Sequence, residues 1–360
     1  MSHLASLGSI FNTLREVDLE AIRRSAEEAF HLAVVGEPGA GKTTWIRQMR
    51  SGGREGEWLP PFVGEYDLPA APPGNVTAAI LVIDAGQPLR EDGPYLLLKR
   101  LRSQGVPILV CLNKADQVAG QREAVLAAWR ARTQAAGTEA ATPLVLTSAL
   151  DRQALLREFV PAMLRLLPGR ELALARALPL FRRPVTQRLI DETALINAGY
   201  SLTSGLAEIV PVLNLPFTAG DMVMLTKNQA IMAYKIALAM GLPSDWRQTL
   251  PQLAAVIGSG FLWRQLARQL VGLLPVWGLL PKVAVAYAGT RVMGSAITYW
   301  AATGEKLSPQ ALQERYRQML HQGRQVARRL IARRRQLSLP APGQCTLSEE
   351  ATDAAYDRSD

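Results

Sequence analysis

From residue 32 onward the chain alternates between short apolar runs and stretches of helical periodicity. The runs LAVVG (32–36), AAILVIDA (78–85), VPILVCLNKAD (106–116) and PLVLTSA (143–149) place their apolar residues consecutively and not at every second position. Strands covered on both faces read this way. Helical stretches fall between them at 42–50, 93–104, 121–136 and 151–167, and one further short strand is expected within the Gly- and Pro-rich segment 52–74, around 62–66. Strand and helix in alternation predict an α/β fold of three layers with a mainly parallel sheet. Ahead of it, residues 13–30 lean Leu14, Val17, Ile22, Ala26 and Phe30 to one side, as in an amphipathic lead-in helix. After about residue 168 the strand signals stop. Residues 172–306 hold helix-length apolar segments punctuated by residues such as Gly199, Pro243, Gly258 and Pro281, which predicts an all-helical C-terminal domain.

The boundary between the first strand and the following helix carries chemistry. Gly36-Glu37-Pro38-Gly39-Ala40-Gly41-Lys42-Thr43 fits G-x-x-x-x-G-K-[ST], with Thr44 next to it. Glycines let the backbone wrap phosphates with its N–H groups turned inward, and the helix N-terminus adds partial positive charge. Lys42 is expected to neutralise the β- and γ-phosphates and the Thr43 hydroxyl to ligate Mg²⁺. A strand-to-helix turn without a ligand would have no use for Lys42.

Base selection is expected from Asn113-Lys114-Ala115-Asp116 and Ser148-Ala149, each at the C-terminal end of a predicted strand. The Asp116 carboxylate can accept both N1–H and the exocyclic amine of guanine. Adenine offers an acceptor there, which would leave a buried carboxylate unpaired. Asn113 can support the base edge, the Lys114 stem can cover the ring, and the Ala149 amide can reach O6. These motifs, in this order, resemble the translation-factor-related GTPases of the Era and TrmE type over residues 30–165. The resemblance implies a G domain at 31–168 that binds GTP or GDP with Mg²⁺.

The chain departs from that family where turnover is concerned. The D-x-x-G motif is best matched by Asp67-Leu68-Pro69-Ala70, so Asp67 is the expected Mg²⁺ partner with Thr43, and the expected catalytic residues are Lys42 and Asp67. Asp84 is ranked below it, because its spacing before Asn113 resembles the next strand of such proteins. No threonine lies between Thr44 and Thr77, and no glutamine stands directly after Asp67-x-x-Ala70 to orient a water. Gly39 stands where potassium-activated relatives have asparagine. The expectation is a slow or partner-dependent GTPase, relying on an activating protein or a second copy of the chain. A nucleotide-regulated scaffold that does not hydrolyse GTP, and an ATP-dependent motor or kinase-like P-loop protein, stay open as alternatives.

Charge changes the picture of the second half. The chain carries a net charge of +9; residues 1–150 hold 15 Lys/Arg against 16 Asp/Glu, and residues 151–360 hold 25 against 15. The excess concentrates in 309–336, a stretch with eight arginines, one glutamate and an opposing stripe of Leu312, Tyr316, Met319, Leu320, Val326, Leu330 and Ile331. Such a helix, assigned to 307–336, suits an anionic membrane surface or an acidic partner, and a domain-capping helix with a solvated face equally well. The segments GLAEIVPVLN, AGDMVMLTKNQ, YKIALAMG and LLPVWGLLPKVAVAYAGT resemble the helical domain of unknown function of the YcjF membrane protein, found behind many bacterial GTPase domains. That resemblance implies membrane association. Asp221, Lys227, Lys235, Arg264, Arg268, Lys282 and Arg291 interrupt the apolar stretches, so a clean spanning helix is not expected. Trp246, Trp263, Trp277 and Trp300 suit a membrane interface or a core equally.

Residues 337–360 read as a disordered acidic tail. Two cysteines, Cys111 and Cys345, form no disulfide framework, and the N-terminus lacks the order of a signal peptide. A cytoplasmic protein, peripheral or integral to the cytoplasmic membrane, is expected. His3, His31 and His321 show no metal-ligand spacing, no catalytic triad is evident, and nucleic acid is not an expected partner. Together these features predict a nucleotide switch whose segment 52–74 signals to a membrane-associated helical domain.

Overall fold

A computed structural model describes residues 18–53, 62–68, 72–87, 93–135, 142–204, 219–257 and 279–338. Expectations that fall on Leu14, Val17, Pro69, Ala70, Gly258, Trp263, Arg264, Arg268, Trp277, Cys345, the acidic tail beyond Ser338 and residues 54–61 and 69–71 of the segment 52–74 lie outside the described residues. Five strands form one sheet: β1 (Leu32–Gly36), β2 (Val63–Asp67), β3 (Ala78–Asp84), β4 (Ile108–Asn113) and β5 (Leu144–Leu146). Every pairing is parallel, in the order β2-β1-β3-β4-β5.

Both faces of the sheet are covered, which is why its strands show no alternation. Leu32, Val34, Ile80, Val82, Leu109 and Cys111 pack on one side with Trp45, Met49, Phe159 and Met163. Ala33, Val35, Leu81, Val110 and Leu112 pack on the other with Leu97, Leu101 and Trp129. The side chains of the first group come from helix α2 (Lys42–Arg50) and from α5, one continuous run made of Arg152–Ala154, a π turn at Leu155–Phe159 and Val160–Leu166. The second group comes from α3 (Gly93–Ser103) and α4 (Arg122–Ala135). The three-layer α/β architecture with a wholly parallel described sheet follows from that covering. Strand order reverses at β1, and in such sheets a crevice opens beyond the strand C-termini at the point of reversal.

The remaining helices are α1 (Leu19–Glu27), α6 (Glu171–Ala177), α7 (Pro179–Ser204), α8 (Ala219–Ala239), α9 (Trp246–Ile257), α10 (Leu279–Thr303) and α11 (Pro309–Ser338). Helix α10 is the axis of this half and packs on α7, α8, α9 and α11. A buried polar knot pins three of these helices together. Asn197 Nδ2 on α7 and Gln229 Nε2 on α8 both donate to Thr290 Oγ1 on α10, at 2.9 and 3.2 Å, and Asn228 Nδ2 donates to Asn197 Oδ1 at 2.8 Å. Buried polar atoms are stable only when partnered, so the knot sets the helices' relative register.

Three features differ from the sequence reading. Gly199 and Pro281, expected to interrupt helices, lie inside α7 and in the first turn of α10; a first-turn proline surrenders no helical hydrogen bond. Helix α1 packs on α6 and α8, so the lead-in helix belongs with the helical half; Arg170 holds it through Glu28 at 2.8 Å. The core is also continuous across the expected domain boundary, because Trp45 of α2 meets Phe159 edge to face with centroids 4.5 Å apart, and Phe159 meets Phe181 of α7 at 5.9 Å. No described helix is long and apolar enough to cross a membrane.

Candidate functional site

The loop after β1 is shaped by two glycines. A Cβ at Gly36 would lie 2.3 Å from the Val82 carbonyl oxygen of the neighbouring strand, so only glycine lets β1 approach β3 at this point. Gly41 caps α2 at φ +96°, in the left-handed region, and its own Cβ would meet Asn113 Nδ2 at 2.3 Å. Between them Glu37, Pro38, Gly39 and buried Ala40 arch over the sheet, with the Ala40 amide donating to the Glu37 carbonyl at 3.2 Å. Gly39 has open space around its Cβ position.

Lys42 follows directly, with a side chain only 3% exposed, and its Nζ donates to the Glu37 carbonyl at 2.8 Å and lies 2.6 Å from Asp67 Oδ1. Asp67 closes β2 and pairs in register with Gly36. Thr43, in the first turn of α2, donates from Oγ1 to Glu65 Oε1 at 2.8 Å, and Thr44 beside it is half-buried. Helix α2 directs its N-terminal amides into the same space.

Asn113 ends β4 and is buried. Its Nδ2 donates to the Ala40 carbonyl at 2.8 Å while its Oδ1 accepts from the Ala149 amide at 2.8 Å. One side chain therefore ties the glycine loop to the turn after β5. The Ala149 amide, expected to face a base, is engaged by Asn113 here. Ser148 next to it is half-buried, and its carbonyl accepts from the Asp151 amide at 3.0 Å.

Lys114 takes the left-handed conformation at φ 61°, unusual for a residue with a side chain. Its Nζ meets Asp84 Oδ2 at 2.6 Å, and Asp84 Oδ1 accepts from the Gly86 amide at 3.0 Å. Asp84, at the end of β3, thus stands beside the Asn113-to-Asp116 turn, while Asp67 stands beside Lys42. Asp116 is the second residue of a 3-10 turn, Ala115–Gln121, and is exposed. Beneath the site, burial pushes the Cys111 thiol well above its ordinary range, which makes it a core residue.

The arrangement brings together groups that could hold an anion and a hard cation. A buried ammonium, a helix N-terminus and two positions that no side chain could fill are features that could cradle a phosphate. Thr43, Glu65 and Asp67 are oxygen donors of the kind Mg²⁺ takes. Among the described residues no group of three His, Cys, Asp or Glu side chains could hold a metal, so such a cation would depend on phosphate oxygens for the rest of its shell. Sequence reasoning missed Glu65, although it stands two residues before Asp67 on one strand and so on the same face. It also missed the Lys114–Asp84 pair, for which no spacing rule exists.

No protein-family model matches the chain, and no curated protein does. Among solved structures, two mutation variants of a protein named SsGBP are similar at 21% identity. The match covers 41% and 46% of this chain and 57% and 64% of theirs, with TM-scores of 0.29 and 0.28. The chain therefore spans less than two thirds of those structures, and they assign no function to it.

Proposed function

We propose that this chain is a guanine-nucleotide-binding protein resembling the Era and TrmE type, which holds GTP or GDP with Mg²⁺ beyond the C-terminal ends of β1, β4 and β5. The observation that carries the reading is the double hydrogen bond of Asn113. It gathers the glycine loop, the Asn113-to-Asp116 turn and the Ser148-Ala149 turn, three motifs far apart in sequence, at one rim of the sheet. In this reading Lys42 and the amides of 36–44 bind phosphate, Thr43 and Asp67 serve the cation, and Lys114, Asp116, Ser148 and Ala149 surround the base. Mg²⁺ supplies charge neutralisation at the phosphates.

The same reading makes the protein a switch whose output is the helical half. Support comes from the aromatic chain Trp45, Phe159, Phe181, which joins the helix that opens at Lys42 to α7 without a gap. Helix α11 adds an outward surface. Tyr316, Gly323 and Ala327 are buried against the bundle, while Arg317, Arg324, Arg328, Arg329 and Arg333 are exposed. A Cβ at Gly323 would lie 2.6 Å from the Ala284 carbonyl, so the helix is seated closely on α10. With its apolar stripe packed at least in part against the bundle, α11 would meet an anionic membrane chiefly by charge.

A reading without efficient hydrolysis has its own support. Lys42 already occupies Asp67, and no threonine or glutamine stands at the positions that would complete the cation shell or orient a water. Displacement of fluorescent GDP by GTP but not by ATP is the expected result for guanine binding; equal displacement would end it. Single-turnover GTP cleavage, with Lys42→Met as blank, separates slow GTPase from scaffold.

A further inference from the structure

Strand β2 places two carboxylates against two consecutive residues at the start of α2, Lys42 and Thr43. Glu65 and Asp67 pair in register with Val34 and Gly36, and alternate strand residues leave a sheet on the same face. Asp67 lies 2.6 Å from Lys42 Nζ, and Glu65 accepts from Thr43 Oγ1 at 2.8 Å. The ammonium suited to phosphate and the hydroxyl suited to a cation are therefore both held by acidic groups of the chain itself.

Resting on the guanine-nucleotide reading above, we propose that Glu65 is a cation-site carboxylate that, with Asp67, holds Thr43 and Lys42 before nucleotide binds and turns to the divalent cation when nucleotide enters, so that Glu65 sets how far Mg²⁺ tightens nucleotide binding. Nucleotide arriving alone sets phosphate oxygens against two carboxylates, an approach of like charges. A hard cation removes that repulsion, because carboxylate and phosphate oxygens can share it. Glu65 also stands in for a missing group, since no threonine between Thr44 and Thr77 can offer a second hydroxyl. Both acids are free to turn: the Asp67 side chain is 65% exposed, and Glu65 is exposed. Exposed pairs hold their partners weakly, so the exchange need not disturb the core.

The test is the affinity of the full-length protein for fluorescent GDP, measured in EDTA and in millimolar Mg²⁺. In the wild-type protein Mg²⁺ is expected to tighten binding strongly. Glu65→Gln is expected to bind GDP more tightly in EDTA and to shrink the Mg²⁺ enhancement by about 10- to 100-fold. Glu65→Asp is expected to restore part of the enhancement. In the GDP complex, Mn²⁺ binding followed by electron paramagnetic resonance is expected to weaken in Glu65→Gln. An unchanged Mg²⁺ enhancement in Glu65→Gln, with GDP bound normally, overturns the role of Glu65 alone. Absence of GDP binding by the wild-type protein at any Mg²⁺ concentration overturns the nucleotide reading with it.

Discussion

In the α/β half the polar side chains of three motifs converge on one rim of the sheet, whereas in the helical half a group of polar side chains bonds together inside the bundle. Lys42, Asn113 and Lys114 reach across motifs, to Asp67, Ala40, Ala149 and Asp84. Asn197 and Gln229 meet at Thr290, which donates in turn to the Ala286 carbonyl, and Arg291 pairs with Asp191 between α10 and α7. A rim of polar groups beside an open glycine loop can exchange its partners for a ligand. A closed knot only fixes helix register. The comparison assigns chemistry to the first half and leaves the second to act through its exterior, where α11 shows its arginines.

The largest effect is expected where the halves meet. Phe159→Ala removes the ring between Trp45 and Phe181 and is expected to cost about 3–5 kcal/mol. Because the core runs through this contact, tryptophan fluorescence and far-UV circular dichroism should report one coincident denaturant transition. Two separate transitions would show the halves to be independent and break the comparison. Next comes Lys42→Met, which keeps the buried stem and removes the charge. It is expected to lower Mg²⁺–GDP affinity about 100-fold while shifting the midpoint of unfolding little, since exposed Asp67 can take up water instead.

Smaller effects sharpen the exterior of the helical half. Replacing Arg328 and Arg329 by glutamine is expected to weaken flotation with anionic liposomes about fivefold per arginine at low salt, with the difference fading as salt rises. Flotation equal to that of the wild-type protein would return α11 to a purely packing role. Tyr316→Phe is expected to stabilise the protein by about 1 kcal/mol, because the Tyr316 hydroxyl is buried without a partner in the described structure. Burial also pushes the Tyr316 hydroxyl up to about 12. The sign follows: the folded state keeps the proton that the unfolded chain releases near pH 10, so stability falls as pH rises from 10 to 12. Thermal melts across that range should fall less steeply for the phenylalanine variant.

Much of the α/β half was legible because its signals are local. Consecutive apolar runs mark the strands at 32–36, 78–84 and 108–113 to within a few residues, the short strand at 63–67 lies one residue from its expected place in the Gly- and Pro-rich segment, and G-x-x-x-x-G-K-T locates the start of α2 at Lys42. What stayed hidden depends on which elements become neighbours. Glu65 looks like any exposed strand residue until β2 pairs with β1 and faces α2. In the sequence Asp84 reads as a rival of Asp67 for a cation, and its bond to Lys114 emerges when β3 and β4 lie in register, Asp84 opposite Asn113. In the helical half, apolar length predicted helices, but neither the Asn197–Thr290 knot nor the seating of α1 on α6 and α8 has a periodicity to reveal it.

The central claim is that Asp116, exposed at the rim beside Lys114, selects guanine by accepting from its N1–H and amine. Calorimetric titration of GDP, ADP and xanthosine diphosphate into the wild-type protein and Asp116→Asn, all with Mg²⁺, tests it most directly. The account predicts that the wild-type protein takes GDP and rejects ADP, and that Asp116→Asn loses GDP and gains xanthosine diphosphate. A wild-type protein that binds ADP as tightly as GDP, or a substitution that leaves the preference for GDP untouched, would contradict it.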